Sequence, residues 1–314
     1  MKIIDTIATR EALPFKKLIL ALKNMFIEGC EVPLRHTHTL DNAGDMALGT
    51  VLIMPAWQPG GYLGIKTVTI FPQNYLSALP GLHSTYILYN AQTGVPLAQM
   101  DGNEITSRRT AAASALAASF LAPADARHLL VLGAGRVGNL LPEAYRIVRP
   151  IERVTVWDRT AEQADAMVQR LRCDGIYAEV CTDIAAAAAR ADIVSCATLA
   201  TEPIVQGAWL STNSHLDLIG SFTPSMREAN DACFSGDVLV YVDTAEALQK
   251  SGELLGPMSR GVFRAEDVAG TLADLCRGTA QRRANGGGRT IFKSVGTALE
   301  DLAAAALVFE SNQL

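Results

Sequence analysis

Residues 128–141 read HLLVLGAGRVGNLL. A short, continuous apolar run suits a strand covered on both faces. It runs straight into Gly133, Gly135 and Gly138, spaced as G-x-G-x-x-G. In that pattern the first glycine allows a tight turn out of the strand. The second lets backbone approach a pyrophosphate, and the third lets the next helix pack closely on the sheet. Arg136 and Val137 fill the remaining positions, and the helix N-terminus would offer free N–H groups to phosphate. Pro142 must lie in the first turns of that helix or kink it. Twenty residues after Gly138, the run RVTVWD ends in Asp158, whose carboxylate could accept hydrogen bonds from an adenosine ribose. The cofactor expected is therefore NAD or NADP. Asp158 favours NAD, whereas Arg159 and Thr160 could hold a 2′-phosphate if Asp158 turned away.

Outward from this turn the pattern repeats. Apolar runs HLLVLG, RVTVWD, YAEVCTD, ADIVSCAT, HLDLIGS and VLVYVD alternate with helix-like AEQADAMVQRLR and DIAAAAARAD. Such alternation implies a parallel, doubly wound α/β sheet. The run Leu216–Ile219 is broken by one acid, Asp217, and then exits through Gly220, Ser221, Phe222, Thr223 and Pro224. Before residue 125 the pattern differs. A helix-rich start covers 1–30, with Leu18, Leu20, Leu22 and Phe26. Short strands follow over 32–100, with a hairpin turn between Asn90 and Gly94. An alanine-rich helix from about Thr106 is stopped by Pro123. After a loop at 284–289, TIFKSVGTALEDLAAAALVF predicts a short strand, a glycine turn and a closing helix that returns to the first domain. The expected division is 1–124 with 294–314, and 125–293.

Composition narrows the function class. The chain has 314 residues, 49% hydrophobic and 19% charged, which suits a soluble protein of about two domains. A net charge of -5 without a basic stripe argues against nucleic acid. The longest apolar run, LAAAALVF, is far too short to span a bilayer. The N-terminus has no apolar core of a signal peptide. Six scattered cysteines without a CxxC pair read as free thiols in a reducing cytoplasm.

Two cations stand out. Alternation along GYLGIKTVTIF places Lys66 with Tyr62, Gly64, Val68 and Ile70, on the more apolar face. A buried ammonium requires an anion nearby; the alternative is a snorkelling or ion-paired structural lysine. Arg109 shares a helix face with Ala113, Leu116 and Phe120, while Arg108 points about 100° away. Arg109 suits bidentate binding of a carboxylate, or else a buried pair with a protein acid. Arg35 is a third candidate. His36 and His38 beside it have metal-like spacing, yet nothing nearby completes a site, so no metal is expected.

The motifs MPAW…GIK, ITSRRTAAASALAA, GAGRVG, DIVSCAT, LIGSFTP and FKSVGTALEDLAAA together resemble the ornithine cyclodeaminase/mu-crystallin family over nearly the whole chain. The resemblance implies NAD(P)-dependent homodimers with a Rossmann domain and a discontinuous α+β domain for substrate binding and dimerisation. It implies that Arg35, Lys66 and Arg109 hold a substrate carboxylate, with Ser84 and Thr85 beside substrate and cofactor. Thr110, Ala197, Thr198, Ser294 and Gly296 would line the cofactor. Cyclodeaminases and related alanine dehydrogenases carry an aspartate two residues before the strand-ending proline. Here that position is Phe222, which can neither accept a proton nor pair with an ammonium group. The GSFTPxMRE pattern is similar to the branch that reduces Δ1-pyrroline-2-carboxylate or Δ1-piperideine-2-carboxylate to L-proline or L-pipecolate. Phe222 would pack on the substrate ring, and Lys66, Ser221 or water would donate the proton. The alternatives are an ornithine cyclodeaminase and a non-catalytic NAD(P)-binding protein.

Overall fold

The computed structural model describes residues 1–41, 47–280 and 288–313. The chain forms two compact units, 1–109 with 297–314, and 110–296. The expected boundary at 124/125 thus moves to 109/110, inside a helix. The cause is local. That helix starts at Gly102 rather than Thr106, because Asp101 accepts hydrogen bonds from the backbone N–H groups of Asn103 and Glu104. Nothing in the alanine-rich run then breaks it before Leu121. The loop expected at 284–289 lies largely outside the described residues.

The first unit is built on a six-stranded sheet. Its strands are β1 (Lys2–Ile4), β2 (His36–Asp41), β3 (Ala47–Trp57), β4 (Tyr62–Ile70), β5 (Leu82–Asn90) and β6 (Pro96–Asp101). Their order is β1-β6-β5-β4-β3-β2, with β1 parallel to β6 and the other neighbours antiparallel. Helices α1 (Thr6–Glu11), α2 (Phe15–Glu28) and the start of α3 (Gly102–Leu121), as far as Arg109, belong to the same unit. Along β4, Gly64, Lys66 and Val68 are buried while their neighbours are less so, which is the alternation of a one-sided sheet. The turn between β5 and β6 is held by the Asn90 side chain, which accepts from the N–H groups of Gln92 and Thr93. His36 and His38 are exposed on β2.

The second unit is a Rossmann fold. It runs β7 (His128–Leu132), α4 (Leu141–Val148), β8 (Arg153–Trp157), α5 (Ala161–Cys173), β9 (Tyr177–Val180), α6 (Ile184–Arg190), β10 (Ile193–Cys196) and β11 (His215–Leu218). It continues through β12 (Val238–Val242), α7 (Ala247–Lys250), α8 (Gly252–Ser259), β13 (Val268–Thr271), α9 (Leu272–Arg277) and β14 (Arg289–Lys293). All eight strands are parallel, in the order β13-β12-β14-β11-β10-β7-β8-β9. The order reverses between β7 and β10, which is where such sheets open a crevice for ligands. Pro142 falls in the first turn of α4, preceded by a short 3-10 turn, so it starts the helix rather than kinking it. Short β1 and β13 have no clear period in sequence and were not anticipated.

The closing helix α10 (Ala298–Ser311) belongs to the first unit, where it packs on α2, β3 and β4. Among the described residues no helix is long and apolar enough to cross a membrane, and no cluster of residues could hold a metal ion. None of the six cysteines is in a disulfide.

Candidate active site

The glycine turn and the ends of β8 and β10 line a cavity of about 310 Å³. Gly133, Gly135, Trp157, Asp158, Arg159, Thr160, Ala197 and Thr198 all reach it. The turn depends on glycine in two ways. Gly133 has φ +103, and a Cβ on Gly138 would lie 1.8 Å from the Gly133 carbonyl oxygen. A Cβ on Gly135, by contrast, would meet no protein atom within 4 Å, so its backbone faces open cavity. That is the cradle a pyrophosphate requires. Asp158 is not turned away. It accepts from Ala134 N–H at 2.7 Å and from Thr160 N–H at 2.8 Å. Each oxygen accepts one backbone N–H and has capacity for a further hydrogen bond. Arg159 and Thr160 are exposed at its rim, as is Arg136 on the turn, while Val137 is half-buried.

Two further segments border the ends of the parallel strands. Ser294 is buried and its N–H donates to the Leu218 carbonyl. Gly296 is held by Asp243, whose one oxygen accepts from Val295 N–H at 2.7 Å and Gly296 N–H at 2.6 Å. Thr110 is half-buried near the middle of α3.

The first unit gathers the cations. Lys66 Nζ lies 2.5 Å from Asp301 Oδ2 and donates to Thr106 Oγ1 at 3.3 Å. Arg109 Nε donates to Asp301 Oδ1 at 2.9 Å, and Nη1 to Glu300 Oε2 at 2.7 Å. Both cations are at least nine-tenths buried, and both acids are fully buried. Burial pulls the Lys66 ammonium down to about 8; Asp301 opposes this, while Arg109 and Arg35 add to it. Burial alone would push Asp301 up, yet Lys66 and Arg109 hold its carboxyl below the usual range. Arg108 points elsewhere, donating to the Leu13 carbonyl and covering the Phe15 ring at 4.4 Å.

The anion sought for Lys66 and Arg109 is thus, in the first instance, a protein carboxylate. A third cation, Arg35, lies close enough to depress the Lys66 ammonium. Nearby on β5, the buried Ser84 hydroxyl has no hydrogen-bond partner among the described residues, and Thr85 is exposed.

The strand exit after β11 splits the expectations made for it. Phe222 is 48% exposed. Ser221 is fully buried, and its hydroxyl donates to the Met226 carbonyl at 2.5 Å. That hydroxyl also accepts from Glu253 N–H at 3.2 Å. It serves the loop, so a proton donor's part for Ser221 has no support in its surroundings.

Sequence reasoning missed Glu300 and Asp301, which read as ordinary acids in a helix's first turn. It also missed Glu228, Asp243, Glu253 and Lys293, all fully or almost fully buried. The one hint was charged residues standing in otherwise apolar stretches.

The comparisons agree with this architecture. A model of the ornithine cyclodeaminase/mu-crystallin family matches residues 34–313. A Δ1-pyrroline-2-carboxylate reductase of Paracoccus denitrificans is 41% identical over 88% of this chain and 89% of its own. The structure of Thermococcus litoralis Δ1-pyrroline-2-carboxylate reductase with NADH and L-proline superposes with a TM-score of 0.92. It is 29% identical and covers 100% of this chain and 98% of its own. An archaeal alanine dehydrogenase dimer with bound NAD gives 0.90 at 28% identity, over 100% and 97%. With a glycine-turn cradle on a Rossmann sheet and a buried cation–acid cluster in the discontinuous first unit, the chain belongs to the ornithine cyclodeaminase/mu-crystallin family.

Proposed function

We propose that the protein is an NAD(P)H-dependent ketimine reductase acting on a small cyclic imino acid, Δ1-pyrroline-2-carboxylate or Δ1-piperideine-2-carboxylate, to give L-proline or L-pipecolate. The observation that carries this reading is Phe222. Where a deaminating relative needs an acid, this chain exposes an aromatic ring at the strand exit. The acids nearest in sequence cannot replace it. Asp217 and Glu228 are fully buried, the first committed to three hydroxyls and the second to Thr198 and Gly220. A cyclic imine needs no such acid, because it is already an electrophile.

The reduced nicotinamide dinucleotide, bound along the glycine-turn cradle, supplies the hydride. The chain's own residues do the rest. Arg35, Lys66 and Arg109 bind the substrate carboxylate, and Ser84 offers a hydroxyl. Fixing the carboxylate fixes the ring, and such positioning is worth several kcal/mol. Phe222 supplies an apolar surface for the ring. Reduction leaves an electron pair on the ring nitrogen, and Lys66, with an ammonium held near pKa 8, is the group able to deliver a proton there. Asp301 orients that ammonium.

NAD(H) is the preferred cofactor in this reading, because Asp158 stays fixed by two backbone N–H groups where a 2′-phosphate would meet its charge. A homodimer is supported by the likeness to a dimeric alanine dehydrogenase and by the exposed side chains Leu34, Tyr75, Leu76 and Leu79 of the first unit. Six cysteines outside disulfides suit a cytoplasmic setting.

The test is direct. The protein is mixed with Δ1-pyrroline-2-carboxylate and NADH or NADPH, and the loss of reduced nicotinamide absorbance is followed. In parallel, NAD and L-ornithine are supplied and ammonia is assayed. Consumption of NADH, faster than of NADPH, is expected. Ammonia release without net cofactor consumption would establish the cyclodeaminase instead.

A further inference from the structure

We propose that Glu228 is a positioning residue for the dinucleotide, latching the Ala197–Ala200 loop to the strand exit at Gly220. Neither the glycine motif nor the cation cluster involves it, and it touches neither reacting partner. The proposal rests on the reading of the glycine-turn cavity as the cofactor site.

The latch is built from three hydrogen bonds on one carboxylate. Glu228 Oε1 accepts from Thr198 N–H at 2.7 Å and from the Thr198 hydroxyl at 2.8 Å. Glu228 Oε2 accepts from Gly220 N–H at 2.8 Å. The two segments it joins are already in backbone contact. A Cβ on Gly220 would lie 1.8 Å from the Thr198 carbonyl oxygen, so no other residue fits there without displacing the loop. Thr198 and its neighbours Ala197, Leu199 and Ala200 form one wall of the cofactor cavity. The wall's position is therefore set by Glu228 from behind.

Glu228 is itself held. Glu253 accepts from the N–H groups of Glu228 and Ala229 at 2.7 and 2.9 Å. Lys293, fully buried at the end of β14, donates to the Leu218 carbonyl at 2.9 Å. Its charge lowers the cost of ionising both glutamates, against the burial that pushes each of them up. A carboxylate with three donors on it, fixed on both sides, has little freedom to move. The loop's ends are tied by Ala197 N–H to the Leu132 carbonyl at 2.8 Å and by the Ala200 carbonyl to Arg227 N–H at 2.9 Å; between them Glu228 holds Thr198, and Leu199 beside it is exposed.

The experiment measures NADH binding by quenching of tryptophan emission, since Trp157 lines the cavity. Glu228→Gln keeps an oxygen for Thr198 but sets an N–H against the Gly220 N–H. Thr198→Val removes the hydroxyl that donates to Glu228 and accepts from Ala200 N–H at 3.2 Å, while the Thr198 N–H bond to Glu228 stays. Glu228→Gln should weaken NADH binding about tenfold and Thr198→Val about threefold, with the double variant no weaker than Glu228→Gln alone. In Glu228→Gln the KM for NADH should rise while kcat at saturating NADH stays unchanged. A lowered melting temperature with unaltered NADH affinity in both variants would reduce Glu228 to a structural acid and overturn the proposal. If Glu228→Gln does not fold, unaltered NADH affinity in Thr198→Val has the same force. Absence of NADH binding by the parent protein would remove the cofactor reading and the proposal together.

Discussion

Lys66 shows why a buried cation near a reaction is worth following. Its ammonium is nearly surrounded by protein, paired with Asp301 at 2.5 Å, and pulled down by burial to about 8. It is therefore mostly protonated at neutral pH and able to release its proton. If Lys66 protonates the product nitrogen, kcat/KM for imine reduction falls as pH rises through about 8. Lys66→Arg, whose guanidinium does not titrate there, should lack that step. Lys66→Met should lose at least about 100-fold in kcat/KM. A full pH step near 8 in Lys66→Arg would assign the proton to another group. Arg109 tests the carboxylate. Arg109→Lys keeps a charge but loses the fork that spans Asp301 and Glu300. It should raise the imine KM about tenfold or more, and an unchanged KM would restrict Arg109 to its two protein acids. That Lys66 and Arg109 need an anion was legible from the apolar faces they share. That the anions include Glu300 and Asp301 was not, because partners nearly two hundred residues away leave no trace in local periodicity.

At the level of elements, β7, the glycine turn and β8 could be read directly, because each function there is local. A turn needs glycine, a helix start needs free N–H groups, and a strand end needs its acid. Strand β11 was legible only in part. Asp217 stood out as an acid in an apolar run, but its use lies in three other elements. Ser114 of α3, Tyr145 of α4 and Ser195 of β10 all donate to it, at 3.1, 2.8 and 2.5 Å. It ties the helix that follows the glycine turn to the sheet beneath. Burial pushes Asp217 up to about 6 even so, with the three hydroxyls opposing. Because the folded pKa lies above the ordinary 3.8, its contribution to stability is fully present below about 3.8 and is lost as pH rises through about 6. The shift amounts to about 3 kcal/mol. Asp217→Asn, which does not ionise, should therefore gain up to about 3 kcal/mol relative to the parent between about pH 4 and pH 7. Urea unfolding of both proteins at the two pH values measures this. A constant difference between them would mean that Asp217 is not the titrating group.

At the scale of the whole molecule, alternation of strand and helix announced one unit, and the shift to short paired strands announced the other. The division itself falls within α3, at Arg109 and Thr110. Composition cannot show this, because an unbroken helix carries no boundary mark. The same helix bears a carboxylate-binding candidate on its first-unit part and a cofactor candidate at the next residue. The central claim is that this frame delivers hydride to the imine carbon of a small cyclic imino acid, and not that it deaminates ornithine. The measurement is mass spectrometry of the proline formed from Δ1-pyrroline-2-carboxylate and NADH carrying deuterium at C4 of the nicotinamide. The account predicts L-proline with a single deuterium at its α-carbon. No labelled proline, together with ammonia and proline from L-ornithine and catalytic NAD, would contradict it.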